Sequence, residues 1–542
     1  MDKDLLSIHQ ARELLRNASK AQHEYKTFEQ ADVDRIVEAM ARAGEAAAES
    51  LGRLAHEETG FGKAESKTQK NLFATRTLLS RMEGMRTCGI INKTADGKIW
   101  EVATPMGIVA ALVPSTNPTS TAMYKAIISA KARCGVVMSP HPRAAKCTAA
   151  ALRVVAEAAY AAGAPEGLFG CMTEVTLEGT DALLEDPLTD VILATGGGPM
   201  VRAAYSKGKP AYGVGSGNVP AYVDRSANLA KAAADILTGT SFDWGTLCST
   251  ERTVVADAPI KKRLIEEFQR RGGHVCTSEE AAKLRKTVAG PYGGLNVDIV
   301  GQSPARIAQM SGFSVPDGTK ALIAEVTEVG KGEPLSMETL SPILSLYSED
   351  GWESGCKRCI EVLEFGGIGH TLAIHAGTER VIEQFALKKP AMRIVVNTVA
   401  ALGSVGMTTP LFPSMTLGPG TVGGSITSDN ITPLHLLNVK RLAFETNPLN
   451  SETGEPLQPS EKARPASPSS SRPAPTKRGE SSWIDEIERR LREGAGNPKV
   501  QESRPRSATP EARPSSAAAP TTASVLPLPD PQIEALIQKH RR

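Results

Sequence analysis

Cysteine, net charge and long apolar runs are all scarce in this 542-residue chain. The eight cysteines (Cys88, Cys134, Cys147, Cys171, Cys248, Cys276, Cys356 and Cys359) are scattered and too few to staple a chain of this length. That usage points to a reduced, cytoplasmic compartment. Cys356 and Cys359 form a CxxC in a charged helical stretch with no second pair, so no metal centre is expected. Against 60 acidic side chains stand 62 basic ones, a formal charge of +2. Such a balance argues against a nucleic-acid coat or an acidic tail protein. No window approaches the ~20 apolar residues that cross a bilayer. The opening MDKDLLSIHQ carries charges where a secretion signal needs its apolar stretch. Neither a nucleic-acid partner nor a membrane partner is expected.

What is present is an alternation. Short apolar runs such as GIVAALVPS (107–115), VVMSP (136–140), DVILAT (190–195), PAYVD (220–224) and RTVVAD (252–257) are each followed by a helical pattern. ALIAEV, ILSLYS, TLAIHA and MRIVVN continue it after 320. The expectation is an α/β fold in which helices wind around two largely parallel sheets. The first hundred residues read as mostly helical. Beyond about 449 the pattern stops: 14 of the 36 prolines lie in 451–542, and PSEKARPASPSSSRPAPTKRGE cannot bury a core. Two short amphipathic helices, 482–494 and 531–540, interrupt this otherwise disordered tail. Each has a capping residue and an apolar face suited to docking on a partner.

Cys248, in SFDWGTLCSTERTVV, is the candidate nucleophile, on a Gly/Thr/Ser loop just before a strand. There a thiolate would be exposed near backbone N–H groups. VPSTNPTST (113–121) ends a strand and opens a helix, with Thr116 and Asn117 at the junction; the Asn117 amide suits an oxyanion hole. ATGGGPMV (194–201) repeats that geometry with Thr195, Gly196 and Gly197 in a phosphate-cradling turn. GVGSGN (213–218), which holds Gly215, matches part of a GxGxxG pattern but precedes a strand. It is rejected as a dinucleotide fingerprint.

In this order the motifs VPSTNPTSTAMYKAI, VVMSPHPRA, ILATGGGPMVRAAYSKGKPAYGVGSGN, FDWGTLCSTE, METLSPIL, GGIGHT and PSMTLGPGTVGG resemble the aldehyde dehydrogenase superfamily. The resemblance is to its CoA-acylating branch, of the type associated with bacterial microcompartments, and covers roughly 1–445. It implies two Rossmann-like lobes, 1–224 for the cofactor and 225–427 for catalysis. A pairing hairpin at about 89–105, a return segment at 428–448 and the tail at 449–542 complete the expected organisation. The stretch near 431–445 is placed to cross to a neighbour, so a homodimer or tetramer is expected. The resemblance makes Cys248 the nucleophile, with Asn117 and the Cys248 N–H as oxyanion donors, and Glu338 in METLSP the ligand of the nicotinamide ribose. Leu340 stands where the family's ExFGP motif has phenylalanine. Thr116, Thr195, Gly196, Gly197 and Gly215 fall in the dinucleotide site.

Ser139 occupies the place of a lysine that binds the adenine ribose in hydrolytic members, which leaves NAD and NADP both open. His141 and Arg143 in SPHPRA are candidates for the nucleotide phosphates, and that segment resembles NAD-using acylating enzymes. Gly213 stands at the position of the glutamate that activates water in hydrolytic members. The resemblance therefore implies that the thioester on Cys248 survives until coenzyme A takes the acyl group, with His370 in GGIGHT relaying the thiol proton. Glu251 is the one alternative carboxylate weighed as base. The substrate expected is a small aldehyde, with the pocket near 407–412 and the PSMTLGPGTVGG loop lining the acyl site. The tail adds a shell protein as partner and a microcompartment lumen as location. Competing readings are a hydrolytic aldehyde dehydrogenase and a catalytically silent scaffold.

Overall fold

The structure, a computed structural model, describes residues 2–290, 294–451 and 453–454. Met1–Phe444 form one unit and Glu445–Arg542 another; the expected tail helices at 482–494 and 531–540 lie outside the described residues. The apolar runs become strands because each is flanked by a turn and buried on both faces, as parallel strands between helical layers must be. Ile108–Val113, Gly135–Pro140 and Val191–Thr195 are buried at every position.

The first sheet is parallel throughout, in the order Phe169–Cys171, Gly135–Pro140, Ile108–Val113, Val191–Thr195, Ala211–Val214. The chain builds outward from Ile108–Val113 in one direction and then returns to its other side. This reversal opens a crevice at the carboxyl ends of Ile108–Val113 and Val191–Thr195. Lys125, fully buried on helix Pro118–Lys131, bridges the two strands there. Its Nζ donates to the carbonyls of Leu112 (2.7 Å) and Leu193 (2.8 Å). Burial drives its pKa well below the ordinary lysine value.

The second sheet is also parallel: Gly273–Val275, Ala321–Glu325, Ile343–Glu349, Glu251–Asp257, Val219–Val223, Leu372–His375, Ile394–Val396. Val219–Val223 pairs with Glu251–Asp257 and Leu372–His375. The sheets therefore change over at 215–218, ahead of the expected boundary at 224. A third, antiparallel sheet joins the hairpin Ile90–Lys93 and Ile99–Pro105 to Leu437–Ala443. The return strand thus pairs with the hairpin of its own chain, from Leu437 opposite Pro105 to Ala443 opposite Ile99. Among the described residues no helix is long and apolar enough to cross a membrane.

Candidate active site

Residues that follow strands of the first sheet meet residues that precede strands of the second. Thr116 and Asn117 follow Ile108–Val113, and Thr195 closes Val191–Thr195. Gly217, Cys248, Glu338 and His370 lie just ahead of Val219–Val223, Glu251–Asp257, Ile343–Glu349 and Leu372–His375.

The loop that carries Cys248 is held from two sides. Asp243 and Trp244 both adopt left-handed backbone (φ 49°), which is unfavourable for residues with a β-carbon and persists only under constraint. The constraint is the buried Asp243 carboxylate, which accepts from the Lys63 N–H (2.6 Å), Lys67 Nζ (3.2 Å), Thr246 Oγ1 (2.6 Å) and Lys70 Nζ. From the other side the buried Arg252 guanidinium donates to the carbonyls of Leu247 (3.2 Å), Ser341 (3.0 Å) and Gly245. Cys248 itself keeps part of its surface open.

Burial pushes the Cys248 thiol up to about 12, and the Glu338 carboxylate adds to the rise; Arg393 and Arg252 pull in the opposite direction. The protonated thiol is therefore the form that the free site favours. Glu338 is likewise raised by burial, against the pull of Arg252 and the Gly217 N–H. That N–H donates to Glu338 Oε1 at 2.9 Å. His370 is fully buried and its pKa falls to about 3, first through burial and then through Arg393. Its Nδ1 meets Thr371 Oγ1 at 2.9 Å while Nε2 has no partner. Arg393 donates to the His370 carbonyl (3.1 Å), Asn430 Oδ1 (2.6 Å) and the Gly418 carbonyl (2.7 Å), fixing the 413–424 loop and the segment that follows it.

On the crevice side, β-carbons built at Gly196, Gly197 and Gly215 meet nothing nearer than 3.8 Å, 3.9 Å and 3.9 Å. The turn is an open cradle at the start of helix Gly198–Tyr205, the chemistry a dinucleotide diphosphate requires. Thr195 Oγ1 is paired with Thr416 Oγ1 (2.9 Å). Ser139 and His141 are engaged within the chain. Ser139 Oγ shares a hydrogen bond with Thr180 Oγ1 (2.8 Å), and His141 Nδ1 accepts from the Arg143 N–H (3.1 Å). Burial and Arg143 both lower His141.

Gly213 lies inside strand Ala211–Val214, and a β-carbon there would come within 2.6 Å of Val201 Cγ1 and 2.8 Å of Tyr205 Oη. The Tyr205 hydroxyl accepts from the Gly213 N–H (2.9 Å) and donates to its carbonyl (3.1 Å). Glu251 is buried and accepts from the Ala400 N–H (2.6 Å); burial raises it to about 8. A cavity of about 670 Å³ opens beside Arg393, lined by Tyr212, Leu411, Phe412 and His435 among others. Leu411 and Phe412 belong to the stretch expected at the acyl site; Met407 and the 413–424 loop do not line it.

Lys67, Lys70, Asp243, Arg252 and Arg393 were not assigned by the sequence reading. The available signal was weak: a lysine on a helix reads as a solvated face until its distant carboxylate is known. Elsewhere His274, Cys276 and Glu280 place ligand atoms within 4.8 Å of one another. There the Glu280 carboxylate accepts from the Thr277 N–H (2.8 Å), closing the capping box of helix Ser278–Val288.

The model of the aldehyde dehydrogenase family matches residues 5–292. The bifunctional aldehyde-alcohol dehydrogenase AdhE of Escherichia coli is 39% identical over 435 residues, 79% of this chain and 49% of that enzyme. The chain thus spans about half the length of that relative. A crystal structure of an acetylating aldehyde dehydrogenase from Geobacillus thermoglucosidasius is 47% identical with a TM-score of 0.82, covering 83% of this chain and all of that one. A propionaldehyde dehydrogenase from the fucose utilisation bacterial microcompartment of Clostridium phytofermentans is 27% identical with a TM-score of 0.73, over 80% and 97% of the two chains.

Proposed function

The chain belongs to the aldehyde dehydrogenase family, and from that premise we propose that it converts a small aldehyde to its acyl-CoA. The observation that carries the acylating reading is the packing at Gly213. Where a water-activating carboxylate would be rooted, Val201 and Tyr205 leave no room for a side chain. Glu251, the alternative base, is fully buried, with Oε1 on the Ala400 N–H and Oε2 out of reach of solvent. The acetylating relative supports the same reading.

The Cys248 thiol gives up its proton to solvent, its Sγ attacks the aldehyde carbon, and Asn117 Nδ2 with the Cys248 N–H receives the resulting oxyanion. A bound nicotinamide dinucleotide, NAD in preference to NADP, supplies the hydride acceptor. Thr195, Gly196, Gly197 and Gly215 form its diphosphate cradle, and Glu338 is its ribose ligand. The acyl-thioester on Cys248 then passes to the sulfur of coenzyme A, restoring the Cys248 thiol. The unpaired Nε2 of His370 relays the CoA thiol proton to the departing Cys248 sulfur; burial holds the imidazole neutral and too weak a base to keep that proton. The test is cofactor reduction by a short aldehyde with and without CoA. CoA-dependent turnover with a thioester product is expected; equal turnover without CoA, giving free acid, would instead support the hydrolytic reading. Wild-type oxidation no faster than the uncatalysed background would support the scaffold reading.

Two finer assignments accompany this. Leu442 and, just past the strand end, Phe444 are exposed beside Trp100 at the edge of the three-stranded sheet (43% and 45%), which supports pairing of copies through it. Housing in a microcompartment rests on the sequence of 449–542 and on the likeness to the Clostridium phytofermentans enzyme. Removing 449–542 should leave turnover intact and abolish co-purification with shell proteins; retained packaging would refute the docking role.

A further inference from the structure

Helix Ala64–Leu72 turns Lys67 and Lys70 inward, each only 2% exposed. A buried ammonium is costly unless every proton finds an acceptor. Lys70 meets that condition fully: its Nζ donates to Asn117 Oδ1 (2.5 Å), Thr246 Oγ1 (3.1 Å) and Asp243 Oδ2. Lys67 lies beside it, on Asp243 Oδ2 (3.2 Å) and the Thr116 carbonyl (3.1 Å).

An ammonium has donors and no acceptor, so the Asn117 amide must present its oxygen to Lys70. An amide without such a neighbour can turn over at little cost in shape. Here the NH₂ end is directed away from the lysine, one hydrogen to Thr116 Oγ1 (3.1 Å), leaving the second for a substrate oxygen. The same ammonium grips Asp243 and Thr246, which belong to the loop of Cys248. It also lies within electrostatic reach of the sulfur.

We propose that Lys70 is the positioning residue of the oxyanion site, setting the orientation of the Asn117 amide and tying it to the nucleophile loop. This rests on Asn117 being the oxyanion donor. The charge on Lys70 also polarises the amide, which strengthens its N–H as a donor.

The test compares Lys70→Met and Lys70→Gln, each alone and combined with Asn117→Ala. The readouts are cofactor reduction with aldehyde and CoA, and thermal unfolding. Lys70→Met should lower kcat about 100-fold with aldehyde KM changed less than about threefold. Lys70→Gln retains an N–H for Asn117 Oδ1 and should recover part of that loss. With Asn117→Ala neither lysine change should lower kcat by more than about threefold. Equal losses in both backgrounds would overturn the proposal. So would loss of cooperative unfolding in both lysine variants, since the lysine would then serve the fold in general. Undiminished kcat in Asn117→Ala alone would remove the oxyanion assignment itself, a failure visible before any lysine variant is made.

Discussion

Gly217 and Cys248 meet backbone to backbone: a β-carbon on Gly217 would lie 1.9 Å from the Cys248 carbonyl oxygen and 3.3 Å from His370 Cδ2. The segment linking the two sheets therefore runs directly behind the nucleophile, and the glycine serves close approach between chains of the fold. Gly217→Ala should push the Cys248 loop aside. About 100-fold loss of turnover is expected from a displacement near 1 Å, with about 1–3 kcal/mol of overpacking. Steady-state kinetics and thermal unfolding check both; wild-type turnover would show that the contact does not set the sulfur.

Glu338 raises the Cys248 thiol pKa, so removing its charge should lower that pKa and increase the thiolate fraction at fixed pH. Glu338→Gln should be alkylated by iodoacetamide at pH 8 on the order of 3–10-fold faster than wild type. Its cofactor-dependent oxidation should fall at the same time. Slower alkylation would mean the carboxylate does not act on the sulfur.

Gly213→Glu should not create a hydrolase. Val201 and Tyr205 occupy the space of a side chain, and the Tyr205 hydroxyl bridges the Gly213 N–H and carbonyl. The variant should lose about 1–3 kcal/mol and form no more free acid than wild type without CoA. Acid production at full stability would contradict the packing argument.

His370 and His375 are buried with pKa values lowered to about 3 and about 4. Both groups titrate below the unfolded value near 6.5. Their neutral burial is thus compatible with full stability above pH 6.5, and stability is lost as pH falls through the window below it. Between pH 6 and pH 4 each histidine should shift the folding equilibrium roughly tenfold per unit toward the unfolded chain. Urea midpoints across that range should fall less steeply in His370→Gln than in wild type. Parallel slopes would mean that His370 protonates in the folded state.

The strands were legible because each is a compact apolar run buried on both faces, as in Ile108–Val113 and Gly135–Pro140. The positions of Cys248 ahead of a strand and of Asn117 after one were legible because Gly, Ser and Thr surround them at strand ends. The placement of Val219–Val223 was not, since a strand's sheet is decided by its neighbours, here Glu251–Asp257 and Leu372–His375. Lys70 was hidden for the same reason. Its carboxylate partner is 173 positions away, and local periodicity reports nothing about so distant a charge. The burial that raises the Cys248 thiol also comes from elements far along the chain.

The change of sheet at 215–218 has a consequence for how the protein reaches its working state. Because the site lies where two separately wound sheets meet, its contacts join positions far apart in sequence. Gly217 and Glu338 are 121 apart, Lys67 and Asp243 176. Pairings of this kind close long loops and form late. The second sheet carries the same burden, since it pairs Ala221 with Ala373. Recovery of turnover on refolding is therefore expected to lag behind the return of helix signal.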